Sequence, residues 1–293
     1  MINRGLTGEL QWLNKRFLVA GLSGGKDSLA LCLYLKNNGI SFTPVFIDTG
    51  HEHPDTYDYI HNYLSTIFTN IEVIREELYF KEDSAFKGGF EQLVDLNKEF
   101  PSVLRRSCTK HLKMRPLIRY LNKKRKETRA KPISCSGIRW QESSKRSKLR
   151  EIEDIDEATW WRPVISWTEK NIIDYINENN VKPNPLYIDG GASRVGCYPC
   201  IFATKSGIRY MSIKDPKRIE YIDDFENRIN QKHKDKDNTY FFTRGVPRKP
   251  RPIREVVEWS LGGSENDTRD QELDGCLKWG LCESASVRLN IDD

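Results

Sequence analysis

The chain has 293 residues, of which 38% are hydrophobic and 30% charged. That length suits one large domain with an appendage or two domains, and the composition excludes disorder as the main state. Forty-seven basic against 42 acidic side chains leave +5, a mild bias toward anionic partners that does not by itself define a nucleic-acid binder. No window approaches the roughly 18 to 20 apolar residues needed to span a bilayer, and Met1 to Leu13 has no apolar run after a basic start. The expectation is a cytoplasmic protein with no membrane partner. Seven cysteines are an odd set, so reduced thiols are expected rather than a disulfide framework. Cys32 and Cys135 sit in apolar or small-residue runs, whereas Cys108, Cys197, Cys200, Cys276 and Cys282 sit among Gly, Pro, Arg and Lys.

Phe17 to Gly21 reads as a buried strand, Asp27 to Lys36 as a helix and Phe42 to Asp48 as a second strand. Asp55 to Phe68 has helical spacing of its aromatic and apolar residues, and Ile71 to Ile74 is a third strand. Leu112 to Asn122 is helical, Pro132 to Gly137 a fourth strand and Trp161 to Ile165 a short fifth. This alternation predicts an α/β fold: an open, mostly parallel twisted sheet with helices on both faces, beside a smaller Cys-containing C-terminal region. Ligands of such sheets meet the carboxyl ends of the strands, so the residues after Gly21, Asp48 and Gly137 are expected to converge. From about Glu169 come a helix at Asn171 to Asn179, a Pro-, Gly- and Cys-rich loop through Cys200 and a charged helix at Pro216 to Lys232. Gly245 to Ile253 reads as an extended basic connector. The expected domains are residues 1–210 and a C-terminal region, 211–293, that closes over the site.

The strongest local signal is Ser23-Gly24-Gly25-Lys26-Asp27-Ser28, placed between the first strand and the first helix. Two glycines let the backbone bend around an anion, the helix start offers unpaired N–H groups, and Lys26 with two hydroxyls completes a phosphate cradle. The bland alternative is a glycine turn capped by Asp27 or Ser28; the strand-to-helix context disfavours it. The four-residue spacer of a Walker A loop is missing. Asp27 and Asp48 are candidate Mg²⁺-associated carboxylates, because that ion takes one or two carboxylates together with phosphate oxygens. Arg139 and Arg146 are candidates for a shared anion, each with a solvated surface charge as its alternative. Lys110 to Arg115 and Lys123 to Lys131 are equally a solvated face or a nucleic-acid path. Cys197-Tyr198-Pro199-Cys200 is a C-x₂-C pair for which a structural thiol pair, a redox dithiol or a metal site all remain open. A tetrathiolate site would need Cys108 and Cys282 as well, and suits zinc or a [4Fe–4S] cluster.

Ser23 to Ser28 resembles the PP-loop (SGGxDS) of the ATP pyrophosphatases. Asp48-Thr49-Gly50 with His53-Pro54-Asp55-Thr56, Arg106 through Leu117, Gly137-Ile138-Arg139 with Glu142-Ser143 and Arg146, Arg162-Pro163-Val164 with Trp167-Thr168, Asn184-Pro185-Leu186-Tyr187 and Arg194-Val195-Gly196-Cys197 are similar, in order, to its phosphoadenosine phosphosulfate (PAPS) reductase branch. The resemblance covers about Phe17 to Tyr210. It implies ATP and Mg²⁺ as ligands, with Ser23, Gly24, Gly25, Lys26, Asp27, Ser28, Asp48 and Gly137 binding nucleotide and Lys26, Asp27, Arg139 and Arg146 catalytic.

Two departures bear on the reaction. The tandem cysteines of adenylylsulfate-type reductases are replaced by Ser107-Cys108, which leaves Cys108, Cys197 and Cys200 with Cys282, or Cys276 in reserve, as expected cluster ligands. The Glu-Cys-Gly-x-His ending of the reductases is replaced by Gly280-Leu281-Cys282-Glu283-Ser284, with no histidine after His233. The resemblance then runs closest to the cluster-bearing component of DNA phosphorothioation systems. It implies adenylation of a substrate oxygen with release of pyrophosphate, then sulfur insertion, with a cysteine desulfurase, a DNA substrate and other modification-system subunits as partners. Alternatives are a PAPS or adenylylsulfate reductase, a tRNA thiolation enzyme and a nucleotide-sensing subunit without turnover.

Overall fold

The structure is a computed structural model, and it describes residue 13, residues 16–82, 84–188, 192, 194–244 and 249–262, and residue 279. Most of the predicted strands and helices form with small shifts at their ends. In chain order they are β1 (Leu18–Gly21), α1 (Lys26–Asn37), β2 (Thr43–Ile47), α2 (Pro54–Asp58), β3 (Glu72–Ile74), α3 (Phe90–Asn97), α4 (Arg115–Thr128), β4 (Ile133–Cys135), β5 (Ile152–Ile155) and β6 (Ala158–Trp161). Then follow α5 (Glu169–Glu178), α6 (Pro185–Ile188), α7 (Lys205–Lys214), α8 (Pro216–Lys232), β7 (Phe242–Arg244), β8 (Lys249–Arg251) and α9 (Ile253–Leu261). None of these helices is long and apolar enough to cross a membrane.

The six-stranded sheet has the order β3-β2-β1-β4-β6-β5. Its first five strands are parallel, and β5 pairs antiparallel with β6 at one edge. Leu18, Val19 and Ala20 of β1 and Ile133 and Cys135 of β4 are all but fully buried, as expected of central parallel strands covered on both faces. The fifth strand differs from the prediction. Trp161 closes β6, and Arg162 to Ile165 form a turn in which the Ile165 N–H donates to the Arg162 carbonyl at 3.0 Å. Pro163 has no N–H to give a ladder, and the strand instead lies upstream, hairpinned to residues 152–155. The helix predicted from Asp55 to Phe68 also changes its winding: α2 passes into a wide turn at Tyr59–Tyr63 and a tight one at Leu64–Thr66.

The chain divides into two compact units, each discontinuous in sequence. The first comprises Met1–Asp48, Tyr57–Arg75 and Lys113–Asn184, and holds the whole six-stranded sheet. The second comprises Thr49–Thr56, Glu76–Leu112 and Pro185–Asp293. Its core is aromatic: Phe90, Phe100, Phe225 and Phe241 are buried, with Phe100 edge-on to Phe225 at 5.0 Å between centroids. α8 starts at Pro216 with the Asp215 carboxylate accepting the Arg218 N–H at 3.2 Å, and buries Ile219, Ile222, Phe225, Glu226 and Ile229 at helical spacing. Glu226 accepts the backbone N–H of Phe241 at 2.8 Å and of Ile253 at 2.9 Å, the residues that bracket the β7–β8 hairpin.

A candidate phosphate site at the switch point of the sheet

The strand order reverses between β1 and β4: the chain moves from β1 to β2 on one side and returns to β4 on the other. Loops that leave these two strands diverge there and open a crevice at the carboxyl edge. The loop after β1 is Ser23 to Ser28. Gly24 takes φ +76°, a left-handed conformation that a side chain resists. Gly25 is the residue before α1 and has no side-chain cap. Ser28 folds back, its Oγ donating to the Gly25 carbonyl at 2.8 Å and accepting the Ser23 N–H at 3.1 Å. The Ser23 hydroxyl lies 3.2 Å from that of Ser28. The loop is thus held in shape from inside, with backbone donors of the first turn of α1 at its mouth.

Four charged groups meet at this turn. Lys26 and Arg139 are 6% and 5% exposed, a degree of burial that long cations tolerate only when paired. Arg139 Nε donates to Asp27 Oδ1 at 2.6 Å, and Lys26 Nζ lies 3.4 Å from Asp27 Oδ2 and 3.3 Å from Glu169 Oε1. Arg139 is delivered by the segment after β4, and Gly137 lets that segment pass: a Cβ there would stand 2.3 Å from the Asp27 carbonyl oxygen. The buried Ser136 Oγ, at the same strand end, has no hydrogen-bond partner among the described residues. An oxygen-rich ligand seated in the crevice would supply one.

The remaining predicted residues are placed as follows. Asp48 lies at the end of β2, with its N–H on the Ile74 carbonyl at 2.9 Å and its Oδ1 accepting the Tyr57 hydroxyl at 2.7 Å. Arg146 is not bonded to Asp27. Its guanidinium pairs with Glu142, whose Oε2 also accepts the Arg139 N–H at 3.1 Å, so Arg146 joins the site through Glu142. Glu169 was missed by sequence reasoning, although it follows Trp167-Thr168 directly and opens α5, capped by Thr168. Its charge balances Lys26 together with that of Asp27.

The second unit carries the described cysteines of the predicted thiolate set. Cys197 Sγ is 3.6 Å from Thr49 Oγ1 and 3.8 Å from Glu52 Oε1. Glu52 is itself buried, accepting the Thr49 hydroxyl at 2.6 Å and the His51 N–H at 3.2 Å. Cys108 packs on the aromatic core, and Cys200 is half-buried. Among the described residues no group of three or more His, Cys, Asp or Glu is disposed to hold a metal ion. Cys276 and Cys282 lie outside the described residues. Cys197 thus lies beside a hydroxyl and a carboxylate. Cys32 and Cys135, in the first unit, are buried thiols whose ionisation is pushed up by burial, as inert structural cysteines should be.

Sheet order and loop placement define an open α/β protein of the doubly wound class, with its ligand crevice at the β1–β4 switch point. The chain belongs to the phosphoadenosine phosphosulfate reductase domain family, whose pattern matches residues 18–203. It is 27% identical to an uncharacterised 37.8 kDa protein of Escherichia phage 186 over 90% of this chain and 96% of that one. It is 28% identical to the adenosine 5′-phosphosulfate reductase of Oceanobacillus iheyensis over 65% of this chain and 75% of the reductase. Among solved structures, a phosphoadenylyl-sulfate reductase from Candida auris in complex with phosphate aligns with TM-score 0.46 and 20% identity, covering 66% of this chain and 86% of that one.

Proposed function

We propose that the protein is an ATP pyrophosphatase that adenylates a substrate oxygen, most simply a phosphate oxygen of the DNA backbone, and so prepares it for replacement by sulfur. The observation that carries this reading is the convergence of buried Lys26 and buried Arg139 on one carboxylate, Asp27, at the first turn of α1. Such a pairing keeps two cations dehydrated and aimed at the loop, where an incoming polyphosphate can take them over from Asp27. Lys26 and the backbone donors of the loop would hold the β- and γ-phosphates, and Arg139 the α-phosphate as charge moves onto the leaving oxygen. The substrate oxygen bonds to the α-phosphorus, the α–β bridge breaks and pyrophosphate leaves. Mg²⁺ suits a donor set of Asp27 or Asp48 beside phosphate oxygens, and when bound would neutralise phosphate charge. A persulfide on a cysteine desulfurase would then attack the activated phosphorus and displace AMP, and a thiol would cleave the remaining S–S bond, becoming a disulfide and leaving the sulfur on phosphorus. Glu142 would act by positioning Arg139 and Arg146. The reading requires no cluster.

ATP labelled at the α-phosphate, incubated with the protein, Mg²⁺, duplex DNA and sulfide, should yield AMP and pyrophosphate, and without sulfide should leave the label on the DNA. ADP and phosphate as the main products would sink the reading. A second reading, reduction of adenylylated sulfate, is favoured by the likeness to an adenosine 5′-phosphosulfate reductase. Release of sulfite from adenylyl sulfate with thioredoxin, and no AMP from ATP, would establish it instead.

A further inference from the structure

Arg139 and Lys26 are met from the same short stretch of chain. The Trp167 carbonyl accepts from Arg139 Nη1 at 3.5 Å, and the Glu169 carboxylate lies 3.3 Å from Lys26 Nζ. Its neighbours fix that stretch in place. The Trp167 ring stands edge-on to Tyr34 of α1 and Tyr175 of α5, at 5.9 and 5.0 Å between centroids, and the Thr168 hydroxyl caps α5 by accepting the Asn171 N–H at 3.1 Å. Glu169 is the first residue of α5, a helix anchored in this way to the one that carries Lys26, and all of these groups belong to the first unit.

The two carboxylates on Lys26 are not equivalent. Asp27 also accepts Arg139 Nε at 2.6 Å, and its side chain is 22% exposed. The Glu169 side chain is 39% exposed and longer by a methylene. A polyphosphate arriving at Ser23 to Ser28 needs Lys26, and a carboxylate beside that ammonium opposes it twice: it holds the cation, and it repels the phosphate oxygens. Asp27 is packed beside Arg139, whereas Glu169 has water to turn into. When the anion leaves, Glu169 can return and balance Lys26, whose buried ammonium is costly to leave with less counter-charge.

We infer that Glu169 is a positioning residue that competes with pyrophosphate for Lys26, loosening the site's hold on polyphosphate and so easing the departure of pyrophosphate once the α–β bridge has broken. This builds on the ATP reading above and adds to it the means by which the product leaves. Affinity lost equally for ATP and pyrophosphate raises KM but shortens the life of the product complex, and product release is the slow step of many enzymes. A carboxylate that served only to hold Lys26 in place would have the reverse effect: without it the ammonium would lose its aim and pyrophosphate would bind more weakly. The sign of the change separates the two roles.

The test is isothermal titration calorimetry of sodium pyrophosphate, at a fixed concentration of Mg²⁺, into the whole chain and three variants, each checked for folding by circular dichroism. Glu169→Gln keeps the shape and leaves an amide oxygen for Lys26, and Glu169→Ala lets water take the place of the carboxylate. Both should bind pyrophosphate about three- to tenfold more tightly than the wild type, the scale of a partly exposed charge contact. Glu178→Gln removes the same charge from an exposed position at the far end of α5, roughly 14 Å along the helix, and should bind like the wild type. Unchanged or weaker binding in the two Glu169 variants, an equal gain in Glu178→Gln, or a wild type that binds no pyrophosphate would each overturn the inference. Binding is read without turnover, so this inference and the ATP reading fail separately: AMP formation from labelled ATP can be absent while Glu169→Gln still tightens pyrophosphate binding, and it can persist while Glu169→Gln loosens it.

Discussion

Gly137 and Asp27 are packed backbone against backbone, with a Cβ on Gly137 placed 2.3 Å from the Asp27 carbonyl oxygen and 3.1 Å from the Ser28 nitrogen. Neither atom can yield without moving the phosphate loop. Gly137→Ala is therefore expected to lower stability by about 1 to 3 kcal/mol, the usual cost of forced overpacking, and to suppress formation of AMP and pyrophosphate more than its loss of stability explains. Chemical denaturation beside an ATP-cleavage assay measures both; a variant with wild-type stability and activity would show that the contact is soft.

Arg139 is a fork in a dry place. Its Nε reaches Asp27 at 2.6 Å and its Nη1 the Trp167 carbonyl at 3.5 Å, and a lysine ammonium cannot make both contacts. Arg139→Lys should reduce ATP cleavage nearly as much as Arg139→Ala, by roughly ten- to a hundredfold for a charge-assisted contact worth about 1.5 to 3 kcal/mol. Steady-state rates of AMP formation decide the matter, and full activity in the lysine variant would make Arg139 a mere positive charge.

Asp27 neutralises two buried cations, so its removal is felt in the fold as well as in the chemistry. Asp27→Ala should cost about 1 to 3 kcal/mol of stability. Adding Lys26→Met should restore part of that loss, because one of the stranded charges has gone. A double-mutant cycle read by thermal or urea unfolding checks the sign of the coupling; strictly additive losses would mean the pair is solvated after all.

Much of this site was legible in the sequence because a short string specified it. Ser23 to Ser28 names both the bend and the charges, and the alternation around it fixes the parallel sheet on whose carboxyl edge it must lie. What was not legible depended on partners far along the chain. Nothing local marks Glu169 as the counter-charge of Lys26, since a Glu in the first turn of a helix ordinarily serves only the helix dipole. The heptad spacing of Arg139 and Arg146 pointed to one shared anion, whereas the chain between them turns as two short tight helices and leaves Arg146 on Glu142. The β5–β6 hairpin escaped because Ile152 and Ile155, at 44% and 47% exposure, carry no buried-strand pattern. The cysteine pair gave a spacing and no more: where Cys197 points depends on Thr49 and Glu52, almost 150 residues away.

Glu226 makes stability depend on pH. Burial pushes its carboxyl up to about 7, from an ordinary value of 4.5, and the backbone N–H groups of Phe241 and Ile253 only partly oppose this. Between those values the folded protein keeps a proton that the unfolded chain releases, so the stabilisation is complete below 4.5 and is lost as pH rises through 7. The expected fall is on the order of 2 to 3 kcal/mol at most. Urea midpoints of the wild type should drop across this range more steeply than those of Glu226→Gln, which cannot ionise. Parallel curves for the two proteins would assign the pH dependence elsewhere.

The central place of β1 has a consequence for synthesis. One of its sheet partners, β2, follows at once, but the other, β4, ends 114 residues after β1 does. At about 5 to 20 residues per second, a ribosome needs roughly 6 to 23 seconds to supply it. During that interval the middle strand of the finished sheet is an open edge of apolar residues, the kind of template on which nascent chains pair with one another. Lys26 and Asp27 then have neither Arg139 nor Glu169 to balance them. Slow translation between residues 75 and 130, or a shortage of chaperones that shield such edges, should reduce the yield of soluble protein more than its final stability would foretell.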